Sequence, residues 1–292
     1  MKNEEFQSFG FYDDMVKIIK SDVFIPTLVT GPTGCGKTTM IMQAHIRNNK
    51  PIYRVNVTSE TDEDSLMGGF RLKNGETVYQ DGPVLEAMKN GATLLLDELD
   101  LALPNKILCL QSILEGEPYL VKRDNRIVHP ADGFTVVATA NTKMNGDASG
   151  SYIGTQIMNA AFRDRFPLII EHRYPHAEEE IAIIEAVDKT HKTNLGKDFI
   201  AKLVEWAQKT RDDVDLEEDM DIQEPITTRR LVDFVKIYSV FGDIEGSIKK
   251  ILTKFDSATA TSYLQYYQAI IQNVDDMENM AEEEEKEYII EF

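Results

Sequence analysis

The sequence predicts an α/β fold in which a five-stranded parallel sheet is wrapped by helices and followed by a small all-helical domain. Two observations predict it. Across the first 172 residues, five short apolar runs alternate with helix-like stretches, and from about Pro175 onward only helical periodicity remains. Continuous apolar runs bounded by turn residues suit strands buried on both faces, and their alternation with helices suits a parallel sheet.

The five runs are Phe24–Thr30, Ile52–Val57, Thr93–Leu96, Phe134–Ala140 and Leu168–Ile170. Pro26 stands near the start of the first, where a missing N–H donor is tolerated. In the second part, apolar residues recur at helical spacing: Ile181, Ile184 and Val187; Ile200, Leu203, Val204 and Trp206; Leu231, Phe234 and Val235; Ile248, Ile251 and Leu252. The expected organisation is an N-terminal helical segment over 1–21, an α/β core over 22–173, a helical lid over 174–273 and an acidic tail over 274–292. Residues 212–224 carry eight carboxylates in thirteen positions and read as a solvated loop.

The bulk composition narrows the partners. At 292 residues, 42% hydrophobic and 28% charged, the chain has the profile of a globular protein with a buried core. A net charge of −19 argues against duplex nucleic acid, which calls for a basic face, and favours protein or small-molecule partners. No apolar run approaches the roughly 20 residues that span a bilayer, and the first residues lack a basic flank and apolar core, so no secretory signal is expected. The two cysteines, Cys35 and Cys109, suggest no disulfide framework, and a reducing cytoplasm is the expected location.

Residues 31–38 read Gly31-Pro32-Thr33-Gly34-Cys35-Gly36-Lys37-Thr38 and match the phosphate-loop pattern G-x-x-x-x-G-K-[ST] in full. A strand-like run precedes them and a helix-like run beginning at Thr39 follows. The glycines let backbone N–H groups curl around phosphates, and a helix N-terminus adds its positive dipole end. Lys37 is expected to reach the β- and γ-phosphates of ATP, and the Thr38 hydroxyl to ligate Mg²⁺. Thr39 is counted with the nucleotide-binding residues.

Residues 93–100 read Thr-Leu-Leu-Leu-Asp-Glu-Leu-Asp, an apolar strand ending in two acids, 60 residues after Lys37. This is the Walker B arrangement. Asp97 would hold Mg²⁺ through its water shell, and Glu98 would orient and polarise the attacking water. Asp100 reads as a helix cap or a partner-facing residue. The fourth run ends in Asn141, which on residue type alone reads as a turn former. Residues 162–166, Phe-Arg-Asp-Arg-Phe, hold Arg163 and Arg165, which are either surface ion-pairing groups or arginines that act on a neighbour's phosphoryl group. Ile226-Thr227-Thr228-Arg229-Arg230-Leu231 opens a later helix, with threonines suited to N-capping.

These motifs occur in the order of an AAA+ ATPase. Their spelling resembles the MoxR branch, and most of all the CobS-type subunit of aerobic cobaltochelatase. The resembling segments are RVNVTSETDEDSLMGGF, YQDGPVLEAMKNGATLLLDELD, HPADGFTVVATANT and GDASGSYIGTQIMNAAFRDRF, within roughly residues 20–240. The resemblance implies that Lys37 and Thr38 match Walker A, Asp97 and Glu98 match Walker B, Asn141 matches the first sensor, Arg165 the trans arginine finger and Arg229 the second sensor. Here the family's S-P-R reads Thr227-Thr228-Arg229, so Arg230 competes for that role, while Arg163 lies where the family often has a non-basic residue and whether it shares the finger role stays open. It further implies two pore-facing hairpins, about Gly68–Val78 with Asn74-Gly75 as its turn, and about Val121–Ile127. The implied assembly is a homo-oligomer, a hexameric ring with nucleotide between protomers.

Three weaker signals are set aside. Asp147-Ala148-Ser149-Gly150-Ser151 spells a von Willebrand A metal motif but lacks a buried strand before it. Pro175 between His172 and His176 argues against a zinc-binding helix face. Cys35 among glycines reads as packing rather than as a nucleophile. The expected activity is Mg-ATP hydrolysis coupled to remodelling of a partner complex, with a chelatase subunit or a von Willebrand A-type subunit as partner. A MoxR-type chaperone and a slow nucleotide-dependent assembly switch are the alternatives.

Overall fold

The computed structural model describes residues 4–146, 152, 154–216 and 224–271. The acidic tail, most of the acidic loop and much of the GDASGSYIGTQ segment, including Asp147–Ser151, lie outside the described residues. The chain forms two compact units, one comprising Ser8–Tyr174 and the other Glu4–Gln7 with Pro175 onward.

In chain order the first unit contains α1 (Tyr12–Ser21), β1 (Thr27–Thr30), α2 (Lys37–Arg47), β2 (Ile52–Asn56), α3 (Glu63–Met67), β3 (Gly68–Lys73), β4 (Glu76–Asp81), α4 (Pro83–Lys89), β5 (Thr93–Asp97), α5 (Leu110–Leu114), β6 (Tyr119–Val121), β7 (Arg126–Val128), β8 (Thr135–Ala140), α6 (Ala160–Arg163) and β9 (Leu168–Glu171). Its main sheet has the order β2-β5-β8-β1-β9, with every neighbouring pair parallel. All five apolar runs are therefore strands of one sheet. β1, β5 and β8 are buried along their whole length, while the edge strands β2 and β9 are only partly covered. This explains why the central three read as unbroken apolar runs and the edges admit Tyr53, Arg54 and Glu171. β8 lies between β5 and β1, so the carboxyl ends of those three strands open on one edge, where open parallel sheets bind ligands.

Two hairpins project from this frame. β3 and β4 lie between the short helices α3 and α4, which pack against each other. Asp62 caps α3 through a reciprocal pair of bonds with Ser65, and Pro83 opens α4. The turn is Asn74-Gly75, both at positive φ (53° and 83°), the geometry that matches strand twist. Where the hairpin leaves α3, Gly68 takes φ 109°, and a Cβ there would run into the Gln80 carbonyl. Gly82 N–H bonds to Met67 O at 2.8 Å and closes the base. The second hairpin pairs β6 with β7. Arg126 ties it to Asp81 of the first hairpin, while Arg123 and the Tyr119 hydroxyl tie it to Asp64 and Glu63 of α3, each at 2.6 Å. Phe70, Leu72, Leu120 and Ile127 remain exposed on the two hairpins.

Helix α2 is cross-linked to the sheet through His45, which is fully buried. Its Nδ1 lies 2.7 Å from Ile41 O and its Nε2 2.9 Å from Thr93 Oγ1. Burial pushes its pKa down to about 4, so the neutral ring donates from Nδ1 and accepts from the threonine hydroxyl. The unfolded chain takes up this proton near pH ~6.5. Stability held above that pH is therefore lost as pH falls toward 4, by up to about 3 kcal/mol. We expect urea melts of His45→Gln to lose less stability across that window than the parent protein; equal losses would exclude the assignment.

The second unit contains α7 (Ala177–His191), α8 (Lys197–Leu216), α9 (Thr228–Phe241) and α10 (Ile244–Leu252), with a further helical stretch over 257–271. Its core gathers Ile184, Val187, Leu203, Trp206, Leu231, Phe234, Ile248 and Ile251, the residues of the helical periodicity; Ile181 packs at its margin. Trp206 Nε1 donates to Tyr263 O at 2.7 Å. A buried ion pair stands at its centre: Arg211 donates twice to Glu180, at 2.7 and 2.8 Å, and once to Ile226 O at 2.9 Å. Thr228 Oγ1 joins Glu180 at 2.7 Å. Removing one partner of such a pair costs about 3–5 kcal/mol, so the pair pins the chain where α9 begins. Among the described residues no helix is long and apolar enough to cross a membrane.

Candidate nucleotide site

The phosphate loop runs from β1 into α2. Gly31 lies against the backbone of His172, next to β9, where a Cβ would collide with the His172 carbonyl. Gly36 is the N-cap of α2 at φ 97°, and Met40 N bonds to its carbonyl at 2.9 Å. The first turn of α2 thus offers free N–H groups at the carboxyl edge of the sheet. The loop is braced from outside. His172 Nε2 lies 3.1 Å from Cys35 O and the Tyr174 hydroxyl donates to Thr33 O at 2.9 Å. The His172 ring is flanked by Phe9 and Phe11 at 5.1 and 4.8 Å. Cys35 is buried and its thiol donates to Pro32 O. Thr33 and Thr39 are exposed.

Lys37 folds back over the loop. Its Nζ donates to Gly31 O at 2.6 Å, Pro32 O at 2.9 Å and Asn141 Oδ1 at 2.9 Å. Burial holds its pKa below the ordinary lysine value, opposed by the charges of Cys35 and the nearby acids. The ammonium is thus enclosed among oxygens at the place where an anion would best offset its desolvation.

Asp97, at the end of β5, is the hub. It is only 3% exposed. Oδ1 accepts from Thr38 Oγ1 at 2.8 Å and from Thr139 Oγ1 at 2.5 Å, and Oδ2 accepts from Arg54 Nε at 2.9 Å and Nη2 at 2.5 Å. The pairing of a threonine hydroxyl with a buried carboxylate, both hard oxygen donors, fits a Mg²⁺ ion. Glu98 follows at φ 60°, with an exposed side chain, and its N–H is held by Thr139 Oγ1 at 2.9 Å.

Lys37, Thr38, Asp97, Glu98 and Asn141 are therefore brought together. Arg165 is not among them: Nε donates to Glu115 at 2.8 Å and Nη1 to Ala161 O at 2.6 Å, and Nη2 pairs with Glu115. Arg163 is half-buried, its Nε without a partner among the described residues. In the helical unit, Arg230 is engaged within it, with Glu224 at 3.0 Å and over the Phe255 ring at 4.0 Å, whereas Arg229 is exposed. Thr227 caps α9 by accepting from Arg230 N.

Three residues of the site escaped the sequence reading. Thr139 and Arg54 both grip Asp97. Thr139 precedes Asn141 by two positions on a strand, so it lies on the same face, which is the one signal that points to it. Arg54 offers no local signal beyond a charge interrupting an apolar run. Asp100 is neither a helix cap nor partner-facing: it is fully buried and accepts from the backbone at Asn141 and Thr142.

A parallel sheet with a phosphate loop after its first strand and a buried acid at the end of a neighbouring one defines the class of P-loop nucleoside triphosphatases. The AAA domain of the dynein-related subfamily matches residues 26–166. Aerobic cobaltochelatase subunit CobS from a Sinorhizobium species is 30% identical over 247 residues, covering 82% of this chain and 74% of that protein. NorQ from Paracoccus denitrificans is 29% identical over 209 residues, 71% of each chain. Midasin from Giardia intestinalis is 32% identical over 187 residues, only 4% of its own length. NtrX from Brucella abortus shares the fold, with a TM-score of 0.54 at 16% identity over 82% of this chain and 53% of that one. The chain belongs to the AAA family of ATPases and is related to CobS and NorQ.

Proposed function

We propose that the protein hydrolyses Mg-ATP as one protomer of a homo-oligomeric ring, and that the ring remodels a partner protein complex. The observation that carries this reading is the placement of Arg165. Among the described residues its bonds go to Glu115 and Ala161 and none to the cluster around Lys37, where the one arginine, Arg54, is committed to Asp97, so the arginine that phosphoryl transfer in this class uses is left to a neighbour. A finger offered to a neighbour requires head-to-tail contacts, and a closed ring terminates them. A hexamer is the ring size the resemblance favours.

In this reading the loop from Gly31 to Thr39 binds the phosphates, and Lys37 exchanges its carbonyl partners for phosphate oxygens. Thr38 and Asp97 would hold Mg²⁺, which would supply neutralisation of phosphate charge. Glu98 takes the proton of the water attacking the γ-phosphorus as the bond to the ADP oxygen breaks. Asn141 orients that water, and Arg165 of the adjacent protomer offsets charge on the transferring group. The helical unit serves as the lid, with Arg229 as its sensor, since Arg230 is already engaged.

The similarity to the cobaltochelatase subunit CobS supports a metal-chelatase complex as the client, and the similarity to NorQ supports the MoxR-type reading, for which the sequence resemblance implies a von Willebrand A-type partner. The two exposed hairpins are the surfaces we assign to the ring's pore. The test is ATP turnover per chain against protein concentration. We expect a cooperative rise as rings assemble. A flat profile would overturn the ring and leave a monomeric nucleotide switch.

A further inference from the structure

Asp100, the third acid of Asp97-Glu98-Leu99-Asp100, has no part in the chemistry above, yet its side chain is fully enclosed. Its Oδ2 accepts three bonds: from Asn141 N at 2.9 Å, Thr142 N at 3.0 Å and Thr142 Oγ1 at 3.1 Å. Its Oδ1 is buried with no hydrogen-bond partner among the described residues. Its backbone carbonyl accepts from Gln156 N at 2.7 Å. A buried carboxylate carries a large desolvation cost, and an unpaired oxygen adds to it. A turn after a strand is ordinarily held by Asn, Ser or Gly without any charge.

What Asp100 holds is the turn that aims Asn141. The backbone N–H groups at 141 and 142 are fixed by one oxygen, and the Asn141 carboxamide in turn meets Lys37. The same turn is stitched onward. Met144 N bonds to Thr142 Oγ1 at 3.2 Å, Asn145 bridges to Ile157, and Met158 N bonds to Met144 O at 3.0 Å. Asn159 then caps α6, accepting from Phe162 N at 2.7 Å, and Arg165 follows. Asp100 therefore holds the turn after β8 through Oδ2 and Gln156, four residues before α6, through its backbone carbonyl.

We propose that Asp100 is a positioning residue for hydrolysis: it fixes the direction of Asn141 and ties that setting to the segment bearing Arg165. A protomer's own nucleotide site and the segment that leads to the arginine it offers its neighbour thereby meet at a single residue, the first through its carboxylate and the second through its backbone carbonyl. The inference rests on the proposed roles of Asn141 and Arg165. It goes beyond them by assigning an acid outside the catalytic set.

The experiment is a double-mutant cycle on the full chain, with Asp100→Ala, Asn141→Ala and the pair. The readouts are equilibrium binding of a fluorescent ATP analogue, kcat, KM and the thermal midpoint. Asp100→Ala is expected to keep binding within about threefold and to lower kcat by about 100-fold, the scale of a misplaced catalytic group. The pair is expected to be no slower than Asn141→Ala alone, because both changes remove one function. Asp100→Asn keeps an acceptor for the two N–H groups and is expected to recover most of the turnover. If Asp100→Ala does not fold, Asp100→Asn becomes the test, and turnover as low as that of Asn141→Ala would overturn the proposal. Losses that multiply in the pair, an unchanged kcat, or failure of both Asp100 variants to fold would overturn the proposal. An Asn141→Ala variant with full turnover would remove the sensor reading itself and the proposal with it.

Discussion

Glu98→Gln is expected to bind ATP as tightly as the parent chain and to turn it over at least about 100-fold more slowly, the contribution of a placed general base. The geometry separates the two effects. The Glu98 side chain is exposed at the strand end and makes none of the hydrogen bonds that shape the phosphate loop, while its N–H is fixed by Thr139. Amide for carboxylate keeps the shape and removes the proton acceptor. Asp97, Thr38 and Lys37 keep their contacts, so binding persists. Fluorescent-nucleotide titration and phosphate release measure the two halves. A variant that retains more than about a tenth of the turnover would show that another group takes the proton.

Arg165→Ala is expected to lose about 10³-fold in turnover, within the range of arginine fingers, while ATP binding by the isolated protomer is unchanged. Its loss has a signature that Glu98→Gln lacks. A protomer with Arg165→Ala still has a base, and one with Glu98→Gln still has a finger. Mixing the two inactive variants is expected to restore activity at about a quarter of the interfaces, those that join an intact base to an intact finger. Absence of recovery, with ring assembly verified by sedimentation, would put Arg165 to work within its own chain. Its present partner, Glu115, would then be the residue to question, since that contact is the one the arginine must leave.

Much of this site was legible because it is local. The phosphate loop is a contiguous pattern with its own strand and helix, and Asp97 and Glu98 stand at the end of a run whose burial on both faces makes it apolar throughout. The central strands β1, β5 and β8 read cleanly for the same reason. What stayed hidden is non-local. Arg54 and Thr139 acquire meaning only when β2 and β8 flank β5 and bring them to Asp97, 43 and 42 positions away in sequence. Asp100 reads in sequence as a helix cap or a partner-facing residue, because acids after strands are usually at the surface. Only the bonds it receives from Asn141, Thr142 and Gln156, more than 40 positions away, make it a buried anchor. The choice between Arg229 and Arg230 was open in sequence, since both begin the same helix. It narrows once Phe255 and Glu224 are seen to occupy Arg230.

The hairpin of β3 and β4 has a consequence for how such a chain can change. It leaves α3 at Gly68 and enters α4 at Gly82, and the bond from Gly82 N to Met67 O brings its two ends side by side. The insertion is therefore a cassette. Its length and tip residues are free to vary without shifting the register of the main sheet or the spacing of Lys37, Asp97 and Asn141. In the ring proposed above, exchanging a few residues around Asn74 would change the surface offered to a client while the two glycines keep the base of the hairpin.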